Sequence, residues 1–192
     1  PGMDYAGEIE IADIGIPTGL EEDKINSELL TLPDISKKLF FRKPSSHKGS
    51  FGHLLVIAGS PGMTGAASLT ALSALRVGAG LVTLGIREFW KPILRHKLTE
   101  VMTLPLPQSK DKTLCKEGFE KIKDFSQKCK AIAIGPGISS TKQTKELISM
   151  IIDQLNIPLV IDADAINVFT GELSLLKKYK ASLIITPHPG EM

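Results

Sequence analysis

From His53 onward the chain alternates short apolar runs with longer stretches whose apolar positions recur every three or four residues. The run His53-Leu54-Leu55-Val56-Ile57-Ala58-Gly59 is continuous and closed by glycine, as expected of a strand covered on both faces. Thr64 to Val77 follows with helical spacing; Thr64 is the expected N-cap and Gly78 the expected stop. Ala66, Ala67, Ala71 and Ala74 are small enough to let that helix lie close on a sheet. Leu81 to Ile86, Glu100 to Leu106, Ala131 to Gly135, Pro158 to Ala163 and Leu183 to Thr186 read as further strands. Helical stretches run from about Lys116 to Lys128 and from Thr141 to Leu155, the second with Leu147, Ile148, Ile151, Ile152 and Leu155 on one stripe. This alternation predicts an α/β fold of three layers, a mostly parallel sheet with helices on both faces.

Upstream of His53 the pattern weakens. Ile9, Ile11, Ile14 and Ile16 alternate imperfectly with Glu8, Glu10 and Asp13, which predicts a strand over Tyr5 to Ile16. Pro17 to Lys24 is a turn with polar chain after it, and Ser27 to Pro44 is mixed, with Lys37, Lys38, Arg42 and Lys43. Pro1 to about Pro44 therefore reads as tail and linker. The chain opens on Pro1-Gly2 and closes on Pro189-Gly190-Glu191-Met192 directly after a strand, a turn that ordinarily leads into another element. The expectation is a fold incomplete at its C-terminus.

Composition narrows the function classes. Hydrophobic residues make up 42% and charged residues 23%, an ordinary globular balance. A formal net charge of +2, with Lys and Arg scattered, gives no footprint for nucleic acid. No apolar run approaches the ~18 residues of a bilayer span, and no secretory signal precedes the domain, so a cytoplasmic location is expected. Cys115 and Cys129 make neither a disulfide scaffold nor a metal-ligand cluster, and no metal site is expected.

In parallel sheets ligands bind beyond the carboxyl ends of the strands, and four such loops stand out. Gly59-Ser60-Pro61-Gly62-Met63-Thr64-Gly65-Ala66 lets backbone approach a ligand and leads into a helix N-terminus suited to an anion; an ordinary strand–helix turn has the same look. It matches neither the dinucleotide fingerprint nor a P-loop, and Gly78-Ala79-Gly80 leads into a strand and reads as a helix-ending turn. Gly135-Pro136-Gly137 is a tight turn followed by Ser139, Ser140 or Thr141 as the next cap. Asp162-Ala163-Asp164-Ala165-Ile166-Asn167 places two carboxylates on one side of a strand. They can hold a metal or polar substrate, or divide acid and base roles. The commoner arrangement, and the one expected, has Asp164 capping a short helix through Phe169 and Asp162 bonding backbone N–H groups. In Thr186-Pro187-His188-Pro189-Gly190-Glu191 the two prolines hold His188 with little freedom, either to meet a substrate or as a structural residue. His47 reads as surface or linker.

Together these loops, with His47-Lys48-Gly49 to Gly52 and Ala74-Leu75-Arg76-Val77-Gly78-Ala79-Gly80-Leu81-Val82-Thr83, resemble one family in the expected order. It is the ADP- or ATP-dependent NAD(P)H-hydrate dehydratases of the ribokinase-like superfamily. Ala6-Gly7-Glu8-Ile9-Glu10 through Asp13-Ile14-Gly15-Ile16-Pro17 resembles the joint of the bifunctional form, in which an epimerase domain precedes the dehydratase. The implied domains are 1–19 as the tail of that epimerase, 20–46 as linker, and 47–192 as the front of the dehydratase. The resemblance implies that Ala66, Gly137 and His188 line the site of the hydrated dinucleotide, NADHX or NADPHX; Gly65, Asp162 and Asn167 join them as candidates. ADP or ATP with Mg2+ is the implied co-substrate, phosphorylating the hydrate's hydroxyl so that elimination restores the reduced cofactor. The catalytic base and phosphate clamp are expected beyond Met192, since no Gly-x-Gly-Asp occurs here. Ile138-Ser139 also stands after Gly137 where the family usually has another glycine. The expected partners are a small dinucleotide, a preceding epimerase domain and further copies of the chain, with no nucleic acid or membrane. A ribokinase-like vitamin kinase and a non-catalytic nucleotide-binding fragment remain as alternatives.

Overall fold

The computed structural model describes residues 5–8, 10, 12, 14–15, 28–39, 41–171 and 173–191. The chain divides into two units, Pro1–Lys43 and Pro44–Met192. In the first, α1 spans Leu32–Lys38. The Thr31 N–H and hydroxyl both donate to Asp34 Oδ2, at 3.1 and 2.6 Å, which explains a helix inside a stretch that reads as linker. The strand expected over Tyr5 to Ile16 rests on Ile9, Ile11 and Ile16, which lie outside the described residues.

The second unit is built on one sheet of six parallel strands. They are β1 (His53–Ile57), β2 (Leu81–Arg87), β3 (Met102–Leu106), β4 (Ala131–Ile134), β5 (Leu159–Ile161) and β6 (Leu183–Ile185), in the order β3-β2-β1-β4-β5-β6. Val56 lies opposite Leu84 on one side and Ala133 on the other. The helices are α2 (Thr64–Arg76), α3 (Lys91–Lys97), α4 (Phe119–Ser126), α5 (Lys142–Gln154) and α6 (Asp164–Asn167).

Period-two alternation along the strands divides the core into two layers. Leu55, Ile57, Ile132, Ile134, Leu159 and Ile161 pack with Phe119 and Ile122 of α4 and Leu147, Ile148 and Ile151 of α5. Their neighbours Val56, Ala58, Val82, Leu84 and Ile86 face the other way, against Ala67 and Ala71 of α2 and Leu94 of α3. Each such aliphatic side chain taken from water contributes roughly 1.5–3 kcal/mol. The three-layer α/β architecture is as the hydrophobic pattern predicts. Among the described residues no helix is long and apolar enough to cross a membrane.

Several boundaries differ from the sequence reading. Thr64 is the first residue of α2, and Met63 stands at the N-cap with no side-chain cap. At its other end Gly78 stops the helix as expected: the Ala79 N–H reaches Ala74 O and the Gly78 N–H reaches Leu75 O, a Schellman closure. The third strand begins at Met102 rather than Glu100, and the fifth is confined to Leu159–Ile161. Lys116–Gly118 is a 3-10 turn before α4, and α3 had no counterpart in the pattern.

Candidate functional site

In a doubly wound sheet the loops on either side of the strand-order reversal part and leave a crevice. Here the reversal lies between β1 and β4, because β1 has β2 on one side and β4 on the other. The loops that follow these two strands are Ala58–Met63 and Gly135–Thr141, both singled out from sequence. They are stitched together: the Gly59 N–H donates to Pro136 O at 2.9 Å, and Ser139 Oγ donates to the buried Ser60 Oγ at 2.8 Å.

Gly137 sits at φ +65°, and a Cβ there would stand 2.8 Å from Met63 Cβ and 3.2 Å from Ala66 Cβ. The missing side chain is therefore what brings the β4 loop against the first turn of α2. Two of the expected site residues, Ala66 and Gly137, meet at this point. Gly65 lies beside them, exposed, in the same turn. Because no side chain caps α2, its first N–H groups remain available to an anion.

Gly135 joins the next loop. It has φ +134°, and a Cβ would fall 1.7 Å from Asp162 O. The Asp162 N–H in turn donates to Ile134 O at 3.0 Å. Asp162 and Asp164 do not share a strand face as the sequence pattern suggests, because β5 ends at Ile161 and Asp164 opens α6. Ala163 between them adopts φ +49°, ψ −125°, which turns the two carboxylates apart. Asp162 Oδ1 accepts from Thr186 Oγ1 at 2.8 Å, not from a backbone N–H. Asp164 Oδ2 accepts from the Ser139 N–H at 2.9 Å, so it does not cap α6; Ala163 holds the N-cap position. Ser139 itself has φ +68°, and the N–H that its conformation exposes is the one Asp164 takes. Asp164 thereby braces the β4 loop while Asp162 braces the β6 loop.

His188 lies two residues beyond Thr186, with its side chain 68% exposed. Its Nδ1 accepts the Gly190 N–H at 2.9 Å, which leaves the ring proton on Nε2, 3.2 Å from Glu191 Oε1. Asn167 is exposed and lines a small cleft with Ser140, Lys142 and Lys145 on the α5 side, away from the Ala66–Gly137 contact. His47, which reads as surface, is exposed and structural: its Nδ1 accepts the Gly49 N–H at 3.1 Å and starts the turn Lys48–Phe51.

Ser60 and Thr186 lie in loops singled out from sequence and Ser139 was a candidate cap, which Thr141 is instead; their role in tying the loops together was missed. No local signal marks them, since each acts on a loop distant in sequence; the positive φ of Ser139 and Ala163 is equally silent in a non-glycine residue. The resulting arrangement is a cradle of backbone and small side chains. An uncapped helix end lies on one wall, and His188 stands in the β6 loop that Asp162 braces through Thr186.

Comparison with known proteins shows the family. The sequence profile of the NAD(P)H-hydrate dehydratase family matches residues 54–192. A bifunctional NAD(P)H-hydrate repair enzyme Nnr of Moorella thermoacetica is 38% identical over 193 residues, covering 100% of this chain and 36% of the relative. An ATP-dependent (S)-NAD(P)H-hydrate dehydratase of Pediculus humanus subsp. corporis is 33% identical over 149 residues, covering 77% of this chain and 48% of the relative. This chain thus spans about a third to a half of the length of these relatives. The crystal structure of an ADP/ATP-dependent NAD(P)H-hydrate dehydratase from Bacillus subtilis, co-crystallised with ATP/Mg2+, superposes with a TM-score of 0.65. It is 29% identical, with 88% of this chain and 55% of that one covered. A ribokinase-like superfamily protein of Enterococcus faecalis, 24% identical with a TM-score of 0.67, has the same fold. With the profile matched across both stitched loops and the β5 and β6 loops, the chain belongs to the NAD(P)H-hydrate dehydratase family.

Proposed function

We propose that these residues form the hydrate-binding part of an ADP- or ATP-dependent (S)-NAD(P)H-hydrate dehydratase, a lyase that repairs damaged nicotinamide cofactors. The observation that carries this reading is the contact of Gly137 with Met63 and Ala66 at the strand-order reversal, beside the uncapped end of α2. The puckered ring of a hydrated nicotinamide can approach a wall of Gly and Ala closely, and the first turn of α2 offers N–H groups to the dinucleotide's diphosphate. His188 is proposed as a hydrogen-bonding partner for the substrate, its Nε2 exchanging Glu191 Oε1 for the ligand. Gly65 adds backbone, Asp162 holds the rim loop, and Asn167 stands further out.

In the proposed reaction the nucleotide's terminal phosphoryl group passes to the hydroxyl of NADHX or NADPHX. Phosphate then leaves with its C–O bond, a proton is lost, and the double bond of the reduced nicotinamide returns. The role of this chain's residues is to bind and orient the hydrate. Among the described residues no group of three or more His, Cys, Asp or Glu converges to hold Mg2+, and no step is assigned to a metal here. The general base and the phosphate clamp are proposed to come from sequence outside these 192 residues. Residues 1–19 are proposed as the tail of an epimerase domain, 20–46 as linker, and 47–192 as the front of the dehydratase. A cytoplasmic enzyme assembled from several copies completes the reading; Leu69 and Phe89, 69% and 67% exposed, are apolar surface of the kind that copies would cover.

The test is conversion of NADHX to NADH with ADP or ATP, on this chain and on the full product of its gene. Turnover by the full product alone is the expected result. Turnover by neither, or accumulation of a phosphorylated product without elimination, would discard the dehydratase reading. Full turnover by the 192-residue chain would refute the placement of the base.

A further inference from the structure

Ser139, at φ +68°, is one of three non-glycine residues at positive φ among those described, and Ala163 is another. Both stand at the carboxyl ends of strands, in the loops after β4 and β5. A side chain makes such a backbone unfavourable unless its surroundings over-determine it, and two bonds do so for Ser139. Its N–H donates to Asp164 Oδ2 at 2.9 Å, and its Oγ donates to Ser60 Oγ at 2.8 Å. Ile138, 1% exposed, anchors the preceding residue in the core.

Three loops therefore meet in Ser139. Ser60, 1% exposed, opens the turn that the Met63 N–H closes on Ser60 O at 2.9 Å, and Met63 is the residue against which Gly137 packs. The Gly59 N–H already donates to Pro136 O, so the β1 and β4 loops are tied both before and after Gly137. One tie alone would leave the β4 loop free to swing about it; the second fixes the spacing of Gly137 from Met63 and Ala66. On its other side Ser139 reaches the loop of Asp162, which accepts from Thr186 Oγ1 at 2.8 Å, two residues before His188. Polar side chains thus link the Ala66–Gly137 wall to the His188 loop, with Ser139 between them.

We propose that Ser139, through its bond to Ser60, is a positioning residue for the hydrated dinucleotide. It holds the Gly137 wall at the spacing from Ala66 at which that ligand binds. The inference rests on the dehydratase reading and gives a hydroxyl pair, rather than the glycine alone, the task of setting the width of the cradle.

Ser139→Gly tests this with little disturbance of the backbone, because glycine takes a positive φ freely and keeps the N–H that Asp164 accepts. In the full product of the gene, Ser139→Gly and Ser60→Ala are each expected to raise the KM for NADHX about tenfold. Both kcat and the KM for ADP are expected to stay within about twofold of the parent. The double variant is expected to be no worse than either single one, since all three lack the same bond. Loss of kcat with both KM values unchanged, the mark of a smaller folded fraction, would overturn the positioning role, as would effects that multiply in the double variant. Hydrogen exchange in the same proteins needs no turnover: the Gly59 amide is expected to exchange at least about tenfold faster in Ser139→Gly, with the amide of Val56 in β1 unchanged. Equal exchange at Gly59 would show that the hydroxyl pair fixes nothing and would overturn the proposal. A parent product that leaves NADHX unconverted would overturn the ligand assigned here together with the dehydratase reading, while the exchange result would still decide the tie.

Discussion

At the scale of single residues, two glycines hold the β4 loop where it can form a wall of the cradle. Gly135→Ala drives a methyl group into the Asp162 carbonyl, a backbone atom with nowhere to go, at a φ that alanine resists. We expect it to cost more than about 3 kcal/mol in urea unfolding. Gly137→Ala meets the Cβ atoms of Met63 and Ala66, which are fixed by their backbones, at φ +65°, so the expected cost is about 2–3 kcal/mol. The cysteines give a prediction of a different kind. Burial, with Glu117 adding to it at Cys115, pushes both thiols up from 9.0 to about 11. Thiolate is then about a hundredfold scarcer than for an ordinary thiol in mild alkali, and alkylation of the folded chain is expected to be slow by that factor against the chain in urea. Gly135 and Gly137 were visible in the sequence because only glycine takes such turns freely. Asp162 and Asp164 were visible as chemistry and misread as geometry: the positive φ of Ala163, which separates them, leaves no trace in an alanine.

Among the elements, α5 shows how a periodic stripe becomes stability. Leu147, Ile148 and Ile151 are almost wholly buried against the sheet, and Thr141 caps the helix, its Oγ1 accepting the Thr144 N–H at 3.3 Å. Ile151→Ala is expected to cost about 2–5 kcal/mol and Thr141→Ala about 1 kcal/mol. Double-mutant denaturation should find the two nearly additive, because they act at separate turns. Long, strongly periodic elements such as α5 and the β1 run could be read directly. By contrast, α3 has Pro92 in its first turn and one wholly buried apolar residue, Leu94, which makes too little pattern to detect. The start of β3 was read two residues early because Val101 is buried in the core without pairing, and the ladder with β2 begins only at the exposed Met102.

For the molecule as a whole, His53 couples folding to pH. Its Nε2 lies 2.8 Å from Thr83 Oγ1, its ring meets Phe125 edge-on at 5.3 Å, and burial lowers its pKa below the usual 6.5. The unfolded chain therefore takes up a proton first as pH falls. The contribution of His53 to stability is complete above about pH 6.5 and declines below it until the folded histidine also protonates. A urea midpoint that falls between ~pH 7 and ~pH 5, with a shallower fall in His53→Gln, is the expected result. An unchanged slope in that variant would assign the effect elsewhere.

The strand order also sets a timetable. As the chain leaves the ribosome, β1, β2 and β3 can pair while residues 107–192 are still being made, and β1 is then an outer strand. Its open side is the one later closed by β4, whose residues Ala131–Ile134 are added some seventy positions after β1. The crevice at the strand-order reversal is thus a seam between an early and a late half of the polypeptide. During that interval Leu55 and Ile57, wholly covered in the finished protein, stand at an unpaired edge. A nascent chain stalled there would offer a chaperone, or another nascent chain, the strand on which the cradle is later assembled.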